Sequence, residues 1–206
     1  MNFKEKQTKT AAVLLASKLM VIILGGIGCL KLKTSVEETE TIDSAEIIKN
    51  AKESGLIMSD EEVIEMAETS KEPHEIGEVQ LTPLQIEELM GYEYEYHGAL
   101  ADVTGGKSYG MAHSNFDSGQ YDLYVTIGNM PTLSDGQYFE AWLVDRGENQ
   151  RSVSLGSFEQ DELGNYYIVF RGSSVLLDYE FSVVTSEWDD EDVSAGLHVL
   201  EGVIKR

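Results

Sequence analysis

The chain has 206 residues, 42% of them apolar, enough for one well-filled core with segments to spare. Its 37 acidic side chains against 15 basic ones give a formal charge of −22, which repels nucleic-acid phosphates and argues against DNA or RNA as a partner. With a single cysteine, Cys29, no intrachain disulfide can form, so the core must hold without covalent staples.

The charge is uneven. Residues 1–34 carry six lysines against one acid, so the rest of the chain holds −27, a charge that also serves solubility in a salt-rich habitat. Residues 11–30, AAVLLASKLMVIILGGIGCL, form an apolar run flanked by lysines. Three readings stand: a membrane anchor in which Lys18 snorkels, a lipoprotein signal with Cys29 as the lipidated residue, or a cleaved secretory signal. Gly28 before Cys29 suits lipidation, whereas Gly26 departs from the usual leucine. Each reading takes the chain to the cell membrane through residues 11–30 and places residues 35–206 on the extracytoplasmic side.

Residues 35–91 read as an acidic, partly helical linker or stalk. Ile42, Ala45, Ile48 and Ala51 recur at helical spacing before a stop at Gly55. Ser59 and Glu62 have the spacing of a capping box, and Pro73 closes that segment. Thr82, Pro83 and Gln85 repeat the device. The apolar stripes are thin, which predicts a solvated stalk. The competing reading makes it a partner-binding helix pair anchored by Val63, Ile64 and Met66.

From residue 92 to 206 the period changes to two. YEYEYHGAL alternates Tyr92, Tyr94 and Tyr96 with Glu93, Glu95 and His97, as a half-buried strand does. SYGMAH, QYDLYVTIG, QYFEAWLVD, SVSLGSF, YYIVFRG, YEFSVVTSE and LHVLEGVI follow, separated by turn-forming DSGQ, SDGQ, DRGENQ and ELGN. The pattern predicts an all-β fold, an antiparallel Greek-key β-sandwich, behind the amino-terminal membrane or signal helix and the short acidic helical stalk. Phe139 and Trp142 are expected in its core.

These strands carry a resemblance. YDLYVTIGNMPTLSDGQYFEAWLVD, SVSLGSF, YEFSVVTSE and HVLEG resemble the extracytoplasmic carboxy-terminal domain of anti-sigma-K factors over residues 98–204 or so. The matching positions are Met130-Pro131, Tyr138 or Phe139 with Trp142-Leu143, Gly156 with Phe158, and Val184-Thr185 with Glu187. The resemblance implies a β-sandwich linked to regulation of sigma factor activity. Ten residues precede the apolar run, so it implies that outer domain without the sigma-binding amino-terminal one.

Motifs for chemistry are sparse. His74, His97, His113 and His198 show no zinc spacing, and a blue-copper site would need a cysteine outside the apolar run. The acidic run SEWDDEDVSAG offers Glu187, Asp189, Asp190 and Asp192 as calcium candidates, without EF-hand spacing, and a solvated loop is the simpler reading. TGGKS at 104–108 lacks the spacing of a phosphate loop and reads as a hairpin turn. The candidate serines have no histidine and acid at a recognisable family spacing for nucleophilic catalysis. The sequence therefore predicts no catalytic residue and no cofactor, and a membrane-anchored binding, sensory or scaffolding module for a protein or small-molecule partner. The alternative is an extracytoplasmic hydrolase built on a carboxylate pair.

Overall fold

The computed structural model describes residues 43–71, 78–173 and 176–205. The apolar run with Cys29, and also Ile42, Pro73 and His74, lie outside the described residues. Among the described residues no helix is long and apolar enough to cross a membrane.

The molecule is mostly β. Three short helices, α1 (Ser44–Glu53), α2 (Asp60–Thr69) and α3 (Pro83–Met90), precede the strands. These are β1 (Tyr96–Asp102), β2 (Tyr109–Asp117), β3 (Gln120–Gly128), β4 (Gln137–Asp145), β5 (Arg151–Ser157), β6 (Glu159–Gln160), β7 (Tyr166–Ser173), β8 (Phe181–Trp188) and β9 (Leu197–Val203). They pair antiparallel in one nine-stranded sheet, in the order β5-β4-β8-β9-β1-β2-β3-β7-β6. The eight strand patterns each find a strand; β6, two residues long, has too little sequence to show a period. The first pattern is corrected at its start. Residues 92–95 stay outside β1, and the Tyr94 hydroxyl instead donates to the Leu89 carbonyl at the end of α3, 2.8 Å away.

The sheet curls until it is nearly closed. Phe139, Ala141 and Leu143 of β4 share one buried cluster with Leu123, Val125 and Ile127 of β3 and with Ile168 and Phe170 of β7. The Phe139 ring meets Tyr166 edge-on, 5.3 Å between centroids. The join between the halves is the narrow β1–β9 ladder, where Ala101 faces Glu201 and Asp102 faces Leu200. The backbones come very close there. A Cβ on Gly202 would stand 2.2 Å from the Ala99 carbonyl oxygen, and one on Gly98 2.6 Å from that of Val203, so only glycine fits at either place.

Turn chemistry sets the register. Ser118 and Gly119 both take positive φ between β2 and β3, as a two-residue hairpin turn of matching twist requires, which is why DSGQ reads so clearly. In the β1–β2 loop, the Asp102 carboxylate accepts the amides of Thr104, Gly106 and Ser108, so TGGKS is indeed a hairpin connection. Partial burial of Asp102 opposes its charged form, but a bond from the Thr104 hydroxyl and then these amides outweigh it and hold the carboxyl below its ordinary range.

Both capping boxes form: Ser59 with Glu62 at α2, and Thr82 with Gln85 at α3. The solvated stalk is corrected by what α2 and the residues before it cover. Met58 and Met66 have no exposed surface and pack against Trp142, Val144, Phe181 and Val183 on the outer face of β4 and β8. Thus Trp142 and Phe139, both buried, lie on opposite faces of β4, and each face has its own apolar cluster. Met66 is therefore spent on this chain's own sheet, while Ile64 is 62% exposed and Val63 is half-buried. Polar bonds fasten the same segment. Arg146 grips the Glu62 carboxylate through Nε and Nη2, at 2.7 and 2.8 Å, and stacks on the Phe181 ring. Glu62 feels the upward push of partial burial, and the Arg146 and Ser59 hydrogen bonds overcome it, leaving its carboxyl lowered. Thin stripes looked insufficient in the sequence because two fully buried methionines, Met58 before the Ser59 cap and Met66 within α2, supply the contact.

Met66→Ala is expected to lower unfolding stability by about 2–5 kcal/mol, as loss of a buried methionine does. Urea denaturation checks this; a change within about 0.5 kcal/mol, the range of a solvated surface position, would restore the stalk.

Candidate functional site

At the turn end of the β2–β3 hairpin the two halves of the sheet leave a cavity of about 390 Å³. From one side it is lined by Tyr96, Ser114, Phe116 and Tyr121. Register explains the set: Tyr96 faces Ser114 across β1–β2, and Phe116 faces Tyr121 across β2–β3, so strand alternation points all four inward. The other side is closed by Tyr179, Glu180 and Leu177 before β8, with Ile204 and Lys205 after β9. The Ile204 amide donates to the Glu180 carbonyl at 2.7 Å, and Lys205 bridges to His97 through backbone bonds of 2.8 Å in both directions. The far wall is thus held to the near one by main chain.

The floor is aromatic and buried. Tyr121 is 4% exposed; burial pushes its phenol up to about 12, with the Ser114 hydroxyl bond working the other way. Tyr179 is buried too, and the Arg151 guanidinium sits 5.2 Å from its ring centroid. Burial raises the Tyr179 phenol and the Arg151 charge opposes that. The lining thus presents mostly apolar and π surface, with Glu180 and Lys205 as its charged members.

The acidic run is arranged otherwise than a calcium site needs. Glu187 turns inward, where its carboxylate accepts from the Thr185 hydroxyl and from the Gly196 amide at 2.8 Å. Thr185 in turn accepts the Trp142 indole N–H at 2.9 Å. Asp190 accepts the amide of Asp192, and Asp192 accepts the amide and hydroxyl of Ser194, so these carboxylates shape their own loop. Asp189 donates its backbone amide to the Gly136 carbonyl. Among the described residues no group of three or more His, Cys, Asp or Glu side chains could hold a metal ion.

Two histidine arrangements had no spacing signal: strand pairing creates the first, and the second joins residues three apart on β9, where the register with β8 shifts between Val184 and Thr185. His97 and His113 are direct partners across β1–β2, with their Nδ1 atoms 2.8 Å apart. His113 also lies between the rings of Tyr94 and Tyr124. The buried His198 pairs through Nδ1 with Glu201 at 2.7 Å, and its Nε2 is buried with no hydrogen-bond partner. On the same outer face Glu140 of β4 bonds the Ser154 hydroxyl of β5. Burial pushes the Glu140 carboxyl up, the Glu187 charge pushes the same way, and Ser154 opposes both.

No family model matches the chain, and neither a curated protein nor a solved structure matches it.

Burial, and then the charge of His97, lower the His113 pKa below 6.5. A histidine depressed in the folded state takes up its proton on unfolding, so its contribution to stability is present above about pH 6.5 and is lost as pH falls through the folded value. His113→Phe, which keeps the ring contacts, is expected to lose less stability than the native chain between about pH 7.5 and 5.5. Parallel urea titrations at the two pH values check this; identical losses would contradict it.

Proposed function

We propose that this chain is a membrane-anchored extracytoplasmic binding module, without catalysis, whose β-rich domain takes a small molecule in the cavity beneath Tyr96. The observation that carries this reading is the cavity's lining: four aromatic side chains surround it, whereas the larger openings of about 490 Å³ beside Arg146 and 450 Å³ beside Met130 have one and two. The curled sheet is read as a Greek-key sandwich, with β5-β4-β8-β9 as one layer and β1-β2-β3-β7-β6 as the other. The resemblance to the outer domain of anti-sigma-K factors supports a sensory or scaffolding role linked to sigma factor activity. The lysine-flanked run at residues 11–30 supports the membrane address, with Cys29 as the lipidation candidate.

A second reading rests on Glu140. A carboxyl raised by burial beside Glu187 is the kind of pair a hydrolase uses, and hydrolysis by the purified protein that Glu140→Gln removes would favour that reading.

The test of the first reading is a thermal-shift screen of small molecules against the native chain and Tyr96→Trp, which fills the cavity. A binder at 100 times its Kd is expected to stabilise the native chain by about 2.7 kcal/mol and the filled variant by far less. Equal stabilisation of both, or turnover of the compounds, would overturn it.

A further inference from the structure

The cavity beneath Tyr96 is surrounded by four aromatic side chains, Tyr96, Phe116, Tyr121 and Tyr179, and has two charged residues, Glu180 and Lys205, in its lining. Among the described residues neither Glu180 nor Lys205 takes part in an ion pair, although the chain is crowded with acids that a lysine could meet. Both are exposed, and so open to a ligand.

Four ligand chemistries compete for such a space. A sugar needs many hydrogen-bonding partners, yet the polar groups here are largely engaged: Tyr121 bonds Ser114, and the Asn115 side-chain amide donates to the Tyr92 hydroxyl at 3.3 Å. A simple anion would enter against the −27 charge of residues 35–206 with one lysine to receive it. A neutral apolar molecule would fill the floor and leave both rim charges unused. A bulky organic cation gains from ring faces, loses little hydration and is drawn by the acidic surface. This end of the molecule already uses that interaction twice, with Arg151 over Tyr179 and Arg146 over Phe181. Lys205 would repel a bare cation, unless the ligand also carries an acid group.

We propose that the cavity takes a small zwitterion, its quaternary ammonium among Tyr96, Phe116, Tyr121 and Tyr179 beside Glu180, and its acid group on Lys205. The proposal rests on the cavity being the binding site. It adds the ligand's chemistry: methylated nitrogen at one end, carboxylate or phosphate at the other. Glu180 and the rings set the cationic end, and Lys205 separates zwitterions from plain cations.

The experiment is calorimetric titration of the full chain, held in a maltoside detergent because a choline-headed one would compete. The probes are glycine betaine, choline and 3,3-dimethyl-1-butanol, the uncharged isostere of choline. Betaine is expected to bind at least about tenfold more tightly than dimethylbutanol. Lys205→Met, a change at an exposed position, is expected to weaken betaine about tenfold and to leave choline unchanged or tighter. Glu180→Gln, equally exposed, is expected to weaken both charged probes. Dimethylbutanol binding as tightly as the charged probes would overturn the zwitterion and leave the binding-module reading standing. So would silence of all three probes while another compound still stabilises the native chain and not Tyr96→Trp. If no compound distinguishes those two chains, both the zwitterion and the binding module fall.

Discussion

The buried Glu201 carboxylate is the interaction on which the arrangement of this molecule turns. It is 2% exposed on β9, where one oxygen meets His198 Nδ1 at 2.7 Å and the other accepts the Met58 amide at 2.6 Å. A carboxyl group out of water is costly unless it is hydrogen-bonded, and here each oxygen has one polar partner. One of them comes from a residue 143 positions earlier in the chain. The backbone at Met58 is thereby pinned to the sheet one residue before the Ser59 cap, so α2 begins where its methionine falls on Trp142 and Phe181. Gln150 and Ser152, which reach the Glu62 and Met66 carbonyls, complete the seam.

Covering that outer face has consequences for function. Along Ala141–Val144 both faces of β4 are buried, the inner one by the opposite half of the sheet and the outer one by Met58 and Met66, so that stretch has no side left for a ligand. Openness is displaced to the end of the curl, where β1 and β9 cross on Gly98 and Gly202 and the hairpin of β2 and β3 reaches past them. The cavity there is a product of topology: its walls are joined by the Ile204–Glu180 and Lys205–His97 backbone bonds, which fix its width.

The strands were legible because a two-residue period and positive-φ turn residues are local properties. DSGQ fixes the β2–β3 hairpin through Ser118 and Gly119 alone, and the Ser59 and Thr82 caps are likewise written within four residues. What the sequence hid is made by pairing over long distances. Nothing in MSDEEVIEMAE announces that Glu201 waits for the Met58 amide, so an acidic segment with few apolar residues resembled a stalk. The alternating tyrosines of YEYEY suggested one strand, but Tyr94 leaves it to cap α3 and only Tyr96 enters the cavity. Glu187 looked like part of a charge cluster, although its neighbours Thr185 and Gly196 turn it inward. The His97–His113 pair follows from β1–β2 register, which no spacing rule contains.

The most direct measurement of this account is amide hydrogen exchange at Met58, followed residue by residue in the full chain. Protection comparable to the central strand β8 is predicted, because the Met58 amide opens only when the covered face opens. In Glu201→Gln that protection should fall while Val125 on β3 keeps its own. Exchange of the Met58 amide at the rate of an unprotected, solvated residue in the native chain would contradict the account.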